Sequence, residues 1–186
     1  MPIHKHFNNT LLGVQILAMS KHLMNRVMCL ADDLHLDVYY QDTDSMHIRR
    51  DQVPLLERAF YERYHSALRG SALCQYHPDF DPICSASVPE EVVATESYFL
   101  GKKCYIDRLT DQLGNVGYHI RMKGVSQKSI EHAAQGDLLN LYKRLFDGET
   151  ITFDLCCDGQ VKFDNAKDGA VRTRDHFERA VQATAE

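Results

Sequence analysis

Apolar residues recur at three- and four-residue steps from Asn8 to about Leu34, at Leu12, Ile16, Met19, Leu23, Val27 and Leu30. That spacing predicts one long amphipathic helix, opened near Asn9 or Thr10 and closed near Asp32-Asp33. The period then changes. Leu36-Asp37-Val38-Tyr39-Tyr40 and Met46-His47-Ile48 read as strands on either side of Gln41-Asp42-Thr43-Asp44-Ser45, a hairpin with two carboxylates at its tip. Pro54 suits the first turn of a helix expected to reach about Leu68, with Leu55, Leu56, Ala59, Phe60 and Tyr64 on one side. Gly70 to Pro89 holds three prolines and two cysteines and reads as a long loop or insertion.

A β-rich block follows. Val92–Leu100, Lys103–Leu109 and Val116–Met122 predict three strands, the last two joined by the turn Asp111-Gln112-Leu113-Gly114-Asn115. Helices are expected near Lys128–Ala134 and Asp137–Phe146, short strands near Ile151–Leu155 and Gln160–Phe163, and a final helix from Arg172. The order of elements predicts an α+β fold, an antiparallel sheet with helices packed on it and a smaller C-terminal piece.

Composition narrows the function classes. The 186 residues carry 21 Lys plus Arg against 26 Asp plus Glu, a formal net charge of −5. That argues against a generally sticky nucleic-acid binder but not against a local basic groove. The charge is unevenly placed: Ala31 to Glu62 has a net −5 and Ser97 to Ile130 a net +4. Six cysteines without framework spacing, and a start without signal- or transit-peptide character, point to a reduced intracellular setting: cytosolic, nuclear or viral. No apolar run nears the ~20 residues of a membrane span, so no membrane partner is expected.

Asp42-Thr43-Asp44 is the sharpest chemical feature. On an extended strand residues i and i+2 point the same way, so both carboxylates can face one site. Two such carboxylates repel unless a cation lies between them, and hard oxygen ligands suit Mg²⁺. Turn chemistry alone also favours Asp and Ser here, and that reading stays open.

The flanks add to the pair. Tyr40-Gln41-Asp42-Thr43-Asp44-Ser45 resembles motif C of family B DNA polymerases, Y-G-D-T-D-S, with Gln41 in place of Gly. Lys5-His6-Phe7-Asn8-Asn9-Thr10-Leu11-Leu12-Gly13 looks like motif B, K-x3-N-S-x-Y-G, with Thr10 for Ser and Leu12 for Tyr. Gly101-Lys102-Lys103-Cys104-Tyr105 resembles the K-K-x-Y motif, and Met122-Lys123-Gly124-Val125 the K-G-[ILV] element after it. The wording around Ser97–Tyr105 is most similar to the viral and organellar, often protein-primed, branch.

The resemblance implies an antiparallel palm sheet with packed helices and the start of a thumb. Residues 1–34 would be the end of the fingers with a connecting helix, 35–134 the palm, and 135–186 a partial thumb. It implies DNA-directed DNA synthesis: attack of a primer 3′-hydroxyl on a dNTP by a two-metal Mg²⁺ mechanism. Asp42 and Asp44 would be the catalytic metal ligands. Lys5 and Asn9 would meet the incoming nucleotide. Lys102, Lys103, Tyr105 and Lys123 would hold the primer, since lysines on a sheet bind phosphates while Tyr packs on sugar or base. Implied partners are primer–template DNA, dNTP, a terminal priming protein, and the polymerase segments bearing motif A and the exonuclease domain.

No D-x2-S-L-Y-P segment, the motif A pattern, occurs among the 186 residues. A partial chain, cut between motifs A and B and inactive alone, is therefore expected. The alternatives are a non-catalytic nucleic-acid-binding remnant of a polymerase and an unrelated α+β binding domain. Among other residues, Cys74, His77 and Cys84 present a possible zinc set without an obvious fourth ligand, against the reading of free loop cysteines. Cys156-Cys157 point to opposite faces if in a strand. His119 reads as a sheet residue rather than a general base, and Arg172 and Arg174 as either duplex-phosphate contacts or a solvated face.

Overall fold

In a computed structural model of the chain, residues 10–156, 162–165, 171–174 and 176–183 are described. The fold is mixed α and β, with four α-helices and small antiparallel sheets among the described residues. Two compact units divide the chain, Met1–Pro78 and Asp79–Glu186. No helix among the described residues is long and apolar enough to cross a membrane.

The first unit is built on α1 (Thr10–Asp33), β1 (Val38–Asp42), β2 (Ser45–Ile48) and α2 (Val53–Tyr64). The expected stripe on α1 is buried only near its C-terminal end, at Val27, Leu30 and Ala31. These pack with Leu56, Phe60 and Leu68, and with the partly buried Met46 and Ile48 of β2. Leu12, Ile16 and Met19 belong to the same stripe but stay 52%, 58% and 68% exposed. The hairpin and α2 cover only the last turns, so periodicity shows which face is apolar and not how much of it is covered.

Two acids near a helix C-terminus oppose its dipole. Here Arg63 of α2 donates to Asp33 at 2.7 Å and relieves the second of them. α2 begins with Pro54 in its first turn and ends at His65, which is left-handed (φ 53°) and sends its N–H to the Tyr61 carbonyl. It therefore stops before the expected Leu68. Its buried residues are Leu56 and Phe60, whereas Leu55 is turned outward at 38% exposure.

The second unit holds β3 (Val93–Gly101), β4 (Cys104–Thr110) and β5 (Val116–Met122), paired in that order as an antiparallel meander. On one face Ile106, Ile120 and Met122 pack against α3 (Gln127–Ala134) and α4 (Leu138–Phe146). Ser126 caps α3 by accepting from the Ser129 N–H, and Asp137 caps α4 by accepting from Asn140. Leu141, Tyr142 and Leu145 are at most 1% exposed, and the Tyr142 hydroxyl donates to the Arg121 carbonyl at 3.1 Å.

The expected final helix is replaced by strands. β6 (Ile151–Asp154) pairs with β9 (Glu178–Val181), and β7 (Lys162–Asn165) with β8 (Val171–Arg174). The β-branched Val171 and Thr173 alternate with arginines at period two, a pattern that fits a strand better than a helix. β6, with Ile151 and Phe153 turned into the core, needs a hydrogen-bonding neighbour, and β9 supplies it.

Candidate functional site

Asp42 and Asp44 do lie at the tip of a hairpin. β1 and β2 pair Gln41 with Met46 and Asp42 with Ser45, leaving Thr43-Asp44 as a two-residue loop. Thr43 has a φ of 54°, and the Asp44 N–H donates to the Asp42 carbonyl at 2.6 Å. An i→i+2 bond around a residue of positive φ is a γ-turn of the rare, strained hand. A β-branched residue in that region is an outlier, and such strain concentrates where function holds it.

The turn also corrects the strand argument. Alternation does not run through Thr43; the two acids are neighbours because the chain folds back between them. Hydroxyls add to the oxygen-rich tip: Thr43 Oγ1 donates to Asp42 Oδ1 at 3.1 Å, and Ser45 Oγ to the Asp42 carbonyl at 3.2 Å. Tyr76, whose hydroxyl donates to Met24 Sδ at 3.1 Å, is held above the usual phenol range by burial and then by the Asp44 charge. Asp44 thus acts electrostatically on this hydroxyl.

Lys102 and Lys103 form a second two-residue loop, between Gly101 and Cys104, and Lys103 is left-handed at φ 56°. The Lys123 N–H donates to the Lys103 carbonyl at 2.8 Å, so three of the expected phosphate-holding lysines converge at one end of the sheet. All three are exposed. Tyr105 is placed differently from a surface contact: it is 6% exposed, against Phe99 (ring centroids 5.9 Å) and His119 (5.6 Å). Lys5 and Asn9 lie outside the described residues, as does Cys157.

The sheet face opposite the helices carries a polar row that spacing alone did not reveal. Ser97, Asp107 and His119 stand directly across from one another on β3, β4 and β5. Asp107, fully buried, accepts from Ser97 Oγ at 2.6 Å and meets His119 Nδ1 at 3.2 Å. Phe80 packs edge-on against the same imidazole. His119 is therefore a sheet residue with a buried carboxylate partner; its Nε2 has no hydrogen-bond partner among the described residues. The signal for this row was register: β4 must be central before Asp107 can face both neighbours.

Cys84 belongs to another cluster. Ser87 Oγ donates to Asp111 Oδ2 at 2.5 Å, Asn115 Nδ2 to the same oxygen at 2.9 Å, and the Leu113 and Asn115 N–H groups to Oδ1 at 2.9 Å each. These bonds hold the Asp111 carboxyl at about 2. Hydrogen bonding from Ser87 comes first among the causes that lower the Cys84 thiol below its ordinary range. Among the described residues no group of three or more His, Cys, Asp or Glu is arranged to hold a metal. Comparison with protein-family models, curated proteins and solved structures finds no match.

Proposed function

We propose that the chain is part of a family B DNA-directed DNA polymerase, carrying palm, the end of the fingers and the start of a thumb, of the viral or organellar protein-primed type. The observation that carries this reading is the strained Asp42-Thr43-Asp44 turn inside Tyr40–Ser45. A donor set of carboxylate and hydroxyl oxygens, with no nitrogen or sulfur, fits Mg²⁺. Asp42 and Asp44 would hold the ion, which when bound supplies charge neutralisation for nucleotidyl transfer. Lys102, Lys103 and Lys123 would hold the primer backbone, with Tyr105 packed behind them. Lys5 and Asn9 would meet the dNTP. Positioning and charge neutralisation, rather than covalent chemistry, would carry the reaction.

Two carboxylates are short of the usual two-metal ligand set, so the chain alone is expected to be inactive. The test is primer extension with Mg²⁺ and dNTPs, by the purified chain and by the chain mixed with a polypeptide bearing D-x2-S-L-Y-P encoded beside it. The expected result is synthesis in the mixture only, reduced at least about a hundredfold by Asp42→Asn. Robust synthesis by the chain alone would overturn the inactivity. Primer–template binding with no synthesis in the mixture would favour the non-catalytic remnant.

A further inference from the structure

The three lysines have a fourth cationic neighbour that lies 56 residues beyond Lys123. Arg179 stands on β9 opposite Phe153, whose side chain is fully buried. Paired residues share a face, so the Arg179 stem runs over the core while its charged head reaches outward. The guanidinium ends directly over Gly124: a Cβ on residue 124 would collide with Arg179 Nη1. Its charge is also felt at Cys104, where it partly opposes the rise that burial imposes on the thiol. Gly124 follows Lys123 and Cys104 follows Lys103, so β9 delivers Arg179 to the strand ends that carry the lysines.

We infer that Arg179 completes a phosphate-binding notch with Lys102, Lys103 and Lys123, its ligand being the DNA backbone near the primer end. This rests on the polymerase reading and adds to it a residue outside the recognised motifs. Among the described residues Lys102, Lys123 and Arg179 form no ion pair. Cations gathered at one sheet end repel one another unless an anion lies among them. Lysines present point charges, whereas the planar Arg fork binds a phosphate through two parallel bonds. Glu178, adjacent on β9, alternates to the other face and lies 3.8 Å from His176.

Fluorescence anisotropy of the full chain with a labelled primer–template, across a salt series, tests the inference. Arg179→Gln is expected to weaken binding about threefold to tenfold near 0.1 M salt and to lower the salt slope by about one. Arg179→Lys should restore the slope but only part of the affinity. Arg63→Gln, a surface cation of the first unit, should leave the slope unchanged. Thermal unfolding checks that the Arg179 variants remain folded. If Lys102→Gln lowers the slope and Arg179→Gln does not, the notch is wrong and the polymerase reading stands. If the wild-type chain shows no salt-dependent binding, the polymerase reading falls, and the inference with it. If inorganic phosphate at low millimolar concentration displaces the DNA as effectively as unlabelled duplex does, the ligand is free phosphate and the inference is overturned.

Discussion

Thr43 and Lys103 occupy the left-handed region, where only Gly, Asn and Asp are at ease. Both sit in two-residue hairpin loops whose composition points to chemistry, acid in one and base in the other. The Thr43 strain should be measurable. Thr43→Gly is expected to raise stability by about 0.5–1 kcal/mol, relief of the strained φ outweighing Gly's greater chain entropy; thermal denaturation of the two proteins gives the difference. Asp111 offers a second test. Its folded-state pKa, about 2, lies below the ordinary 3.8. Its contribution to stability is therefore complete above about pH 4 and lost as pH falls through about 2. Urea midpoints measured from pH 5 downward should fall in the wild type, and Asp111→Asn should flatten part of that slope.

The Asp111 turn was legible from Asp-Gln-Leu-Gly-Asn because its bonds are local. Its partner Ser87 was not, being 24 residues away in a loop without periodicity. Asp42 and Asp44 were legible as a hairpin tip for the same local reason, while the γ-turn between them is a backbone property that composition does not encode.

Among the elements, those whose partners are near in sequence follow expectation: the β1-β2 hairpin, the β3-β4-β5 meander, and the helices α3 and α4. The C-terminal strands do not, since β9 pairs with β6 across 23 intervening residues, from Leu155 to Phe177. No local pattern announces a pairing of that span. It is also the pairing that brings Arg179 to the lysines, so the part of the site hidden from sequence reasoning is the part that depends on long-range register. The core under the meander is the larger of the two clusters of buried apolar residues. Leu145 on α4 is fully buried, and Leu145→Ala should cost about 3 kcal/mol by cavity formation, read from denaturant midpoints at unchanged m-value.

At the scale of the whole molecule, the formal net charge of −5 is an average over two unlike units. The acidic stretch from Ala31 to Glu62 lies in the first and the basic stretch from Ser97 to Ile130 in the second. Overall charge is therefore a poor guide to what either surface binds.

α1 runs for 24 residues, about 36 Å at ~1.5 Å per residue, and only its final turns are buried against the hairpin. From Thr10 to Ser20 it carries no charged residue, and Leu11 and Leu17 are 79% and 72% exposed. At its other end the Leu36 N–H binds the Ala31 carbonyl and the Asp37 N–H binds Gln52 Oε1, tying the helix to the start of β1. A helix of this length bends only gently. Among the described residues it is held to the unit at one end only, through Val27, Leu30 and Ala31. The residues that anchor it pack with Met46 and Ile48 of β2, so the buried end of the helix and the strand leading away from the acidic tip share one core.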